Sequence, residues 1–240
     1  MKKTMLVLLF FSTLNMVHGQ LSGVYVADFK DKVEYYLRFF NDRQYYMDIV
    51  VHETSDILDV RTMSIGQYSV KGKEVSLKDK IHNFQMELVI INDSLKMEKS
   101  FCFLKDKTFG FKSTYVDKLT LNWLKDYDSL SIEKERVEYK IQNPKIYPLA
   151  YGDYFSVKCI QCALRYCLTI NEDNTYRIYF RDLLISEGYW EREGVELILN
   201  DKYLKQRFYM MIGNRVLISK LLPGDYESSI LQNCPSNRDY

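Results

Sequence analysis

Two stretches decide the fold. One is Ile65–Leu77, IGQYSVKGKEVSL, and the other is Glu187–Leu199, EGYWEREGVELIL. Each reads as a strand, a tight turn at glycine and a second strand. Gly72 and Gly194 sit where the turn needs a backbone conformation that only glycine adopts without penalty. At an offset of 122 residues, Gly66 falls on Gly188, Gly72 on Gly194, Glu74 on Glu196 and Leu77 on Leu199. Asp79-Lys80 then falls on Asp201-Lys202 and Asn92 on Asn214. Upstream the offset lengthens: Tyr45 meets Tyr176 and Leu37 meets Leu168 at 131, and Gly23-Val24-Tyr25 meets Gly152-Asp153-Tyr154 at 129. Glycines, charges and apolar phase keep step together, which marks a duplicated unit.

The units are β-rich. Twenty tyrosines and thirteen phenylalanines stand against four prolines, a composition suited to strands. Tyr35–Phe40, a polar turn at Asn41–Gln44 and Tyr45–Val51 form a hairpin pattern. Leu168–Ile170, Asn171–Thr175 and Tyr176–Phe180 repeat it. The chain therefore predicts an all-β protein of two tandem, duplicated antiparallel β-meander domains, each a small barrel or half-barrel. A signal peptide covers 1–19, the first domain 20–115, a linker 116–149, the second domain 150–226 and a polar tail 227–240. Within the linker, Ser129–Ile141 is charged and reads equally as helix or strand. Asn143–Pro148 reads as extended, because proline disfavours helix in the residue before it.

Compartment follows from the N-terminus. Lys2 and Lys3 precede the apolar run Met5–Phe11, which is too short for a membrane helix, and Val17-His18-Gly19 offers a cleavage site before Gln20. No cysteine lies near position 20 to carry a lipid. The expectation is a secreted or periplasmic chain with no membrane span after signal removal. Without Lys2 and Lys3, 31 basic residues face 32 acidic ones, a net charge of −1. No basic run stands out, so nucleic acid is not an expected partner.

Three of five cysteines crowd into Cys159–Cys167, CIQCALRYC. A thioredoxin-like pair would open a helix, but Leu164, Tyr166 and Leu168 alternate like a strand. A haem site would place histidine after Cys162, where Ala163 stands. A four-thiolate metal site is arithmetically possible. An oxidising compartment makes disulfides the expectation, with Cys159, Cys162, Cys167 and Cys234 as candidates in unspecified pairing, one bridge tying the tail to the second unit. The stretch would close the first hairpin of that unit, where the first unit uses a longer segment, Ala27–Glu34. Cys102, in Phe101-Cys102-Phe103, reads as a buried free thiol on an apolar strand. No cofactor or metal ligand set is assigned.

Enzymatic readings find little support. His52 and His82 are the only histidines after residue 19, and both read as exposed loop residues. Asp56 lies near His52 in sequence alone. No G-x-S-x-G, phosphate-binding loop or H-E-x-x-H occurs. Glu191 and Glu193 share a strand face as a glycosidase pair would, but with Trp190 opposite they read as the wet face of an amphipathic strand. Among Tyr35, Tyr36, Phe39, Phe40, Tyr45 and Tyr46, one ring of each adjacent pair must point outward. That outward surface could stack on sugars, meet a protein or dock the two units.

The order G-x-Y (Gly23, Tyr25), L-x-F (Leu37, Phe39), D-x-x-Y (Asp42, Tyr45), G-x-Y (Gly66, Tyr68) and G-x-E-V-x-L (Gly72, Glu74, Val75, Leu77) resembles the small lipocalin-like meander barrels of secreted bacterial proteins. The second unit repeats it at Gly152, Tyr154, Leu168, Ile170, Asp173, Tyr176, Gly188, Trp190, Gly194, Glu196, Leu197 and Leu199. The resemblance implies a non-enzymatic binding protein for a small apolar ligand, acting through a barrel mouth or the cleft between units. Phe39, Leu88, Ile170 and Met210 are the candidate lining residues. The alternative is a structural or protein-interaction module of the cell envelope, with filled barrels and an exposed aromatic face. A mouth-accessible cavity of several hundred Å3 would favour the first.

Overall fold

The structure is a computed structural model. It describes residues 20–29, 33–52, 58–114, 129–142, 145–156, 166–181, 183–219 and 230–233. The proposed signal peptide and Cys159, Cys162 and Cys234 lie outside them.

The first unit contains β1 (Gly23–Phe29), β2 (Val33–Phe39), β3 (Gln44–His52), β4 (Leu58–Lys71), β5 (Glu74–Asp79), β6 (Gln85–Ile91), β7 (Ser94–Lys99) and β8 (Thr108–Ser113). Each strand pairs antiparallel with the next, and β8 returns to β1, closing an eight-stranded barrel. Helix α1 (Ser129–Gln142) follows. The second unit contains β9 (Gly152–Ser156), β10 (Tyr166–Ile170), β11 (Thr175–Phe180), β12 (Leu183–Glu193), β13 (Glu196–Asp201), β14 (Arg207–Ile212), β15 (Val216–Ile218) and β16 (Ile230–Asn233), closed by β16 against β9. Among the described residues the chain is all-β apart from α1 and a short 3-10 turn, and the two barrels share one topology.

The duplication extends to individual atoms. Ile90 N–H donates to the Lys73 carbonyl and Ile212 N–H to the Val195 carbonyl, both at 2.8 Å. Gly23 and Gly152 hold φ of 105° and 107°. The ladder shifts register at Met47/Asp48 in the first barrel and at the equivalent Ile178/Tyr179 in the second. The change of offset from 131 to 122 has a plain cause, because the hairpin of β3 and β4 is nine residues longer than that of β11 and β12. Gly66 and Gly188 mark closely approaching backbone: a Cβ on either would lie 1.9 Å from the carbonyl oxygen of Lys78 or Asn200.

Both barrels are filled from within. Tyr25, Tyr35, Leu37, Phe39, Tyr45, Leu77 and Met97 are at most 1% exposed, as are Leu168, Ile170, Tyr176, Leu199 and Met210 in the second barrel. The rings interlock: Phe39 meets Tyr25 at 5.6 Å and Tyr68 at 5.0 Å between centroids. Eight strands leave an interior about wide enough for side chains.

Each barrel also buries the same polar chain. Tyr45 Oη lies 2.6 Å from Ser64 Oγ, which donates to Asp79 Oδ2 at 2.7 Å. In the second barrel Tyr176 Oη lies 2.9 Å from Ser186 Oγ, which donates to Asp201 Oδ2 at 2.5 Å. The serine has one proton and gives it to the carboxylate, so the tyrosine donates to the serine. Burial first, then the neighbouring aspartate, hold both phenols well above their usual pKa. The other carboxylate oxygen caps the next turn. Asp79 Oδ1 accepts from Ile81 and His82 N–H, and Asp201 Oδ1 from Tyr203 and Leu204 N–H.

Several expectations need correction. β16 lies in the segment assigned to a polar tail, yet its Leu231 is buried and it closes the second barrel. Four residues are too few to show an alternating pattern. The connection from β9 to β10 is longer than that from β1 to β2, not shorter. Cys102 sits on the 3-10 turn Cys102–Leu104, held by Leu104 N–H to the Phe101 carbonyl at 3.0 Å, rather than on a strand. The charged linker segment, left open between helix and strand, is helix α1.

Candidate functional site

The candidate site lies where the barrels and α1 meet. The β5–β6 turn presents Ile81 and His82, shaped by the Asp79 cap and by Asn83 at φ 56°. The His82 carbonyl accepts from Gln206 Nε2 at 3.1 Å, and its ring packs edge-on against Phe208 at 5.4 Å while stacking on Phe84 at 6.1 Å. A second tie joins the barrels: the Cys102 thiol reaches the carbonyls of Leu184 and Ile185, each at 3.2 Å. Burial, ahead of the charges of Asp201 and Glu187, raises that thiol to about 12. His82 sits in the predicted turn, but it is packed between rings instead of exposed.

Helix α1 lies over the outer face of β13 and β14, where the second barrel departs from the first. Ile198 and Met211 point outward yet are 1% and 5% exposed, with Tyr209 half-buried between the strands' neighbours. At the offset of 122 the first barrel has Ser76, Glu87 and Val89 there. An apolar outer face needs a cover, and α1 supplies it. Its polar edge makes the contact. Arg136 Nη1 donates to Glu196 Oε1 at 2.8 Å, its guanidinium lies 4.2 Å over the Tyr209 ring, and Lys140 pairs with Glu196 Oε2. Glu196 is 1% exposed; its counterpart Glu74 is exposed. Arg136 also binds Glu133 through Nε and Nη2, which holds the Glu133 carboxyl below its usual pKa and raises that of Arg136.

Between these elements is a pocket of about 230 Å3. Ile81, Tyr209, Met211 and Ile218 give it apolar walls, and Arg136 and Tyr139 form the helix side. Its polar groups largely serve one another. Gln206 Nε2 donates to the His82 and Arg207 carbonyls, and Ser219 Oγ to the Tyr209 carbonyl at 3.3 Å. Such a site can enclose a small molecule with an apolar body.

None of Phe39, Leu88, Ile170 and Met210 lines this pocket. All four lie in the packed barrel cores, 0–1% exposed. Glu191 and Glu193 are exposed as expected, with Glu191 paired to Arg207 at 3.4 Å. The hairpin aromatics divide as the pleat requires: Tyr35, Phe39 and Tyr45 point inward and Tyr36 and Tyr46 outward. The described junction between barrels uses His82, Cys102, Gln206 and Phe208 instead. Cys167 lies half-buried on β10. No disulfide joins two described residues, and no group of three or more metal-ligating side chains occurs among them. No described helix is long and apolar enough to cross a membrane. Comparison with protein-family models, curated proteins and solved structures found no match to this chain.

Proposed function

We propose that this protein is a non-enzymatic binding protein acting outside the cytoplasm, and that its ligand sits in the cleft between the barrels and α1 rather than inside a barrel. The observation that carries the reading is the contrast between the two places. The barrel interiors are occupied by large side chains, while the cleft keeps an apolar-walled pocket of about 230 Å3. Ligand sites favour such junctions. The paired polar groups around the pocket support binding over catalysis, since they fix its shape and neutralise one another. Two closed eight-stranded meanders accord with the resemblance to secreted bacterial lipocalin-like barrels, and the N-terminal pattern with export.

Native mass spectrometry of the mature chain from its own source tests this. The expected result is a bound small mass, lost on denaturation and absent from Ile218→Trp, which fills the pocket from the outer face of β15. A bare polypeptide in the wild type would overturn the reading. In that case the envelope interaction module becomes the better account. One observation favours it: Val137, Ile141 and Ile146 are 44%, 75% and 66% exposed on and just after α1, an apolar edge turned away from the barrel.

A further inference from the structure

We infer that the cleft takes a small, flat, uncharged ring compound bearing one acceptor oxygen. This rests on the cleft being the binding site, and adds the ligand's class. Charge balance supplies the first argument. Two lining residues are acidic, Glu133 and Glu135, and two are basic, Arg136 and Arg207, so the walls carry no net fixed charge. A charged ligand would enter a partly apolar site without a compensating partner, which is costly.

The second argument is the surface offered. The Arg136 guanidinium carbon lies 4.2 Å from the Tyr209 ring centroid, and Tyr139, Phe208 and His82 contribute to the walls. Planar π and guanidinium faces favour a planar guest, because stacked and edge-on ring contacts add to simple burial. The third is hydrogen bonding. Arg136 commits Nε and one N–H on each terminal nitrogen to Glu133 and Glu196. A guanidinium has five N–H groups, so one on each terminal nitrogen remains to meet a carbonyl or ether oxygen. Size is the last constraint. The volume falls below the roughly 300–1,000 Å3 of drug-sized sites, so one ring or a fused pair fits.

Ligand-observed NMR with three probes tests this: benzamide, benzoate and cyclohexanecarboxamide, each against wild type, Ile218→Trp and Tyr209→Leu. Benzamide should bind the wild type at least about fivefold more tightly than either analogue, the factor expected from about 1 kcal/mol of ring contact. Ile218→Trp should abolish its signal, and Tyr209→Leu should erase its advantage over the saturated amide. Equal binding of all three probes, still abolished by Ile218→Trp, would overturn the ligand class and leave the cleft as the site. Tighter binding of benzoate would overturn the uncharged assignment. No Ile218→Trp-sensitive benzamide signal would overturn the inference itself. The mass spectrometry above then decides separately whether the cleft reading stands.

Discussion

Replacing Ser64 by alanine should cost the protein far more than one lost hydroxyl suggests. Ser64 stands between Tyr45 and Asp79, with no exposed surface of its own. Its removal leaves the fully buried Tyr45 hydroxyl without the acceptor it uses, at roughly 1–3 kcal/mol. It also takes one hydroxyl donor from Asp79 Oδ2, which keeps only the Ile65 N–H at 3.3 Å. Together these give about 3 kcal/mol. Tyr45→Phe should cost less, about 1 kcal/mol, since Ser64 still donates to Asp79 and no donor is stranded. In Tyr45→Phe/Ser64→Ala the stranded phenol is gone, so the double variant should be more stable than the sum of the singles by about 1–2 kcal/mol. Guanidinium unfolding followed by far-ultraviolet circular dichroism measures all three. Ser186→Ala and Tyr176→Phe should repeat the pattern in the second barrel, where the same chain is closed at 2.9 and 2.5 Å. Single costs that add to within about 0.5 kcal/mol would refute the reasoning, since independent sites add that closely.

Four further outcomes follow from the same geometry. Gly66→Ala and Gly188→Ala should each prevent normal pairing of their hairpins, seen as loss of soluble protein or a large drop in Tm, because the added Cβ meets backbone oxygen at 1.9 Å; Gly72→Ala, where nothing lies within 4 Å, should cost only about 1 kcal/mol from its left-handed φ of 63°. Cys102, raised to about 12, should resist iodoacetamide at pH 8 in the folded protein and react after denaturation, read by peptide mapping. Burial raises the Asp201 carboxyl above 3.8. The folded state then holds that proton more tightly than the unfolded state, so its contribution is fullest below 3.8 and declines as pH rises through the higher folded value. The stability of wild type relative to Asp201→Asn should accordingly fall from pH 4 upward, and a rise would contradict the assignment. Arg136→Met should loosen α1 over β13, speeding amide exchange in residues 133–142, because Glu196 loses one of two cations while staying buried.

The duplication was legible because its signals are local. Glycines at turns and at a close backbone approach, and the tyrosine and aspartate that end each buried chain, are residues whose types are fixed by their immediate neighbours. Ser64 and Ser186 also stand 122 apart, but a single serine carries no mark of burial, so the middle of the chain was silent. The cleft was harder to see because it is made between units. Its one local trace is the outward row Ile198, Tyr209 and Met211, where two of the three first-barrel counterparts, Ser76 and Glu87, are polar. Both faces of β13 and β14 are therefore apolar, and that called for a cover. Helix α1 gave no matching stripe, since it docks through Arg136 and Lys140 and turns Val137 and Ile141 to solvent. Phe39, Leu88, Ile170 and Met210 were expected to line an open cavity, but they lie in the packed barrel cores, where a lining role needs space that larger neighbours already fill.

The most direct test is methyl NMR on the protein carrying labelled isoleucine, leucine and methionine methyls, titrated with the ligand recovered from the native protein or with benzamide. Saturable shifts are expected at Ile81, Met211 and Ile218, with Leu37, Leu88, Ile170 and Met210 unmoved. Shifts confined to the barrel methyls, with the cleft silent, would contradict the cleft reading.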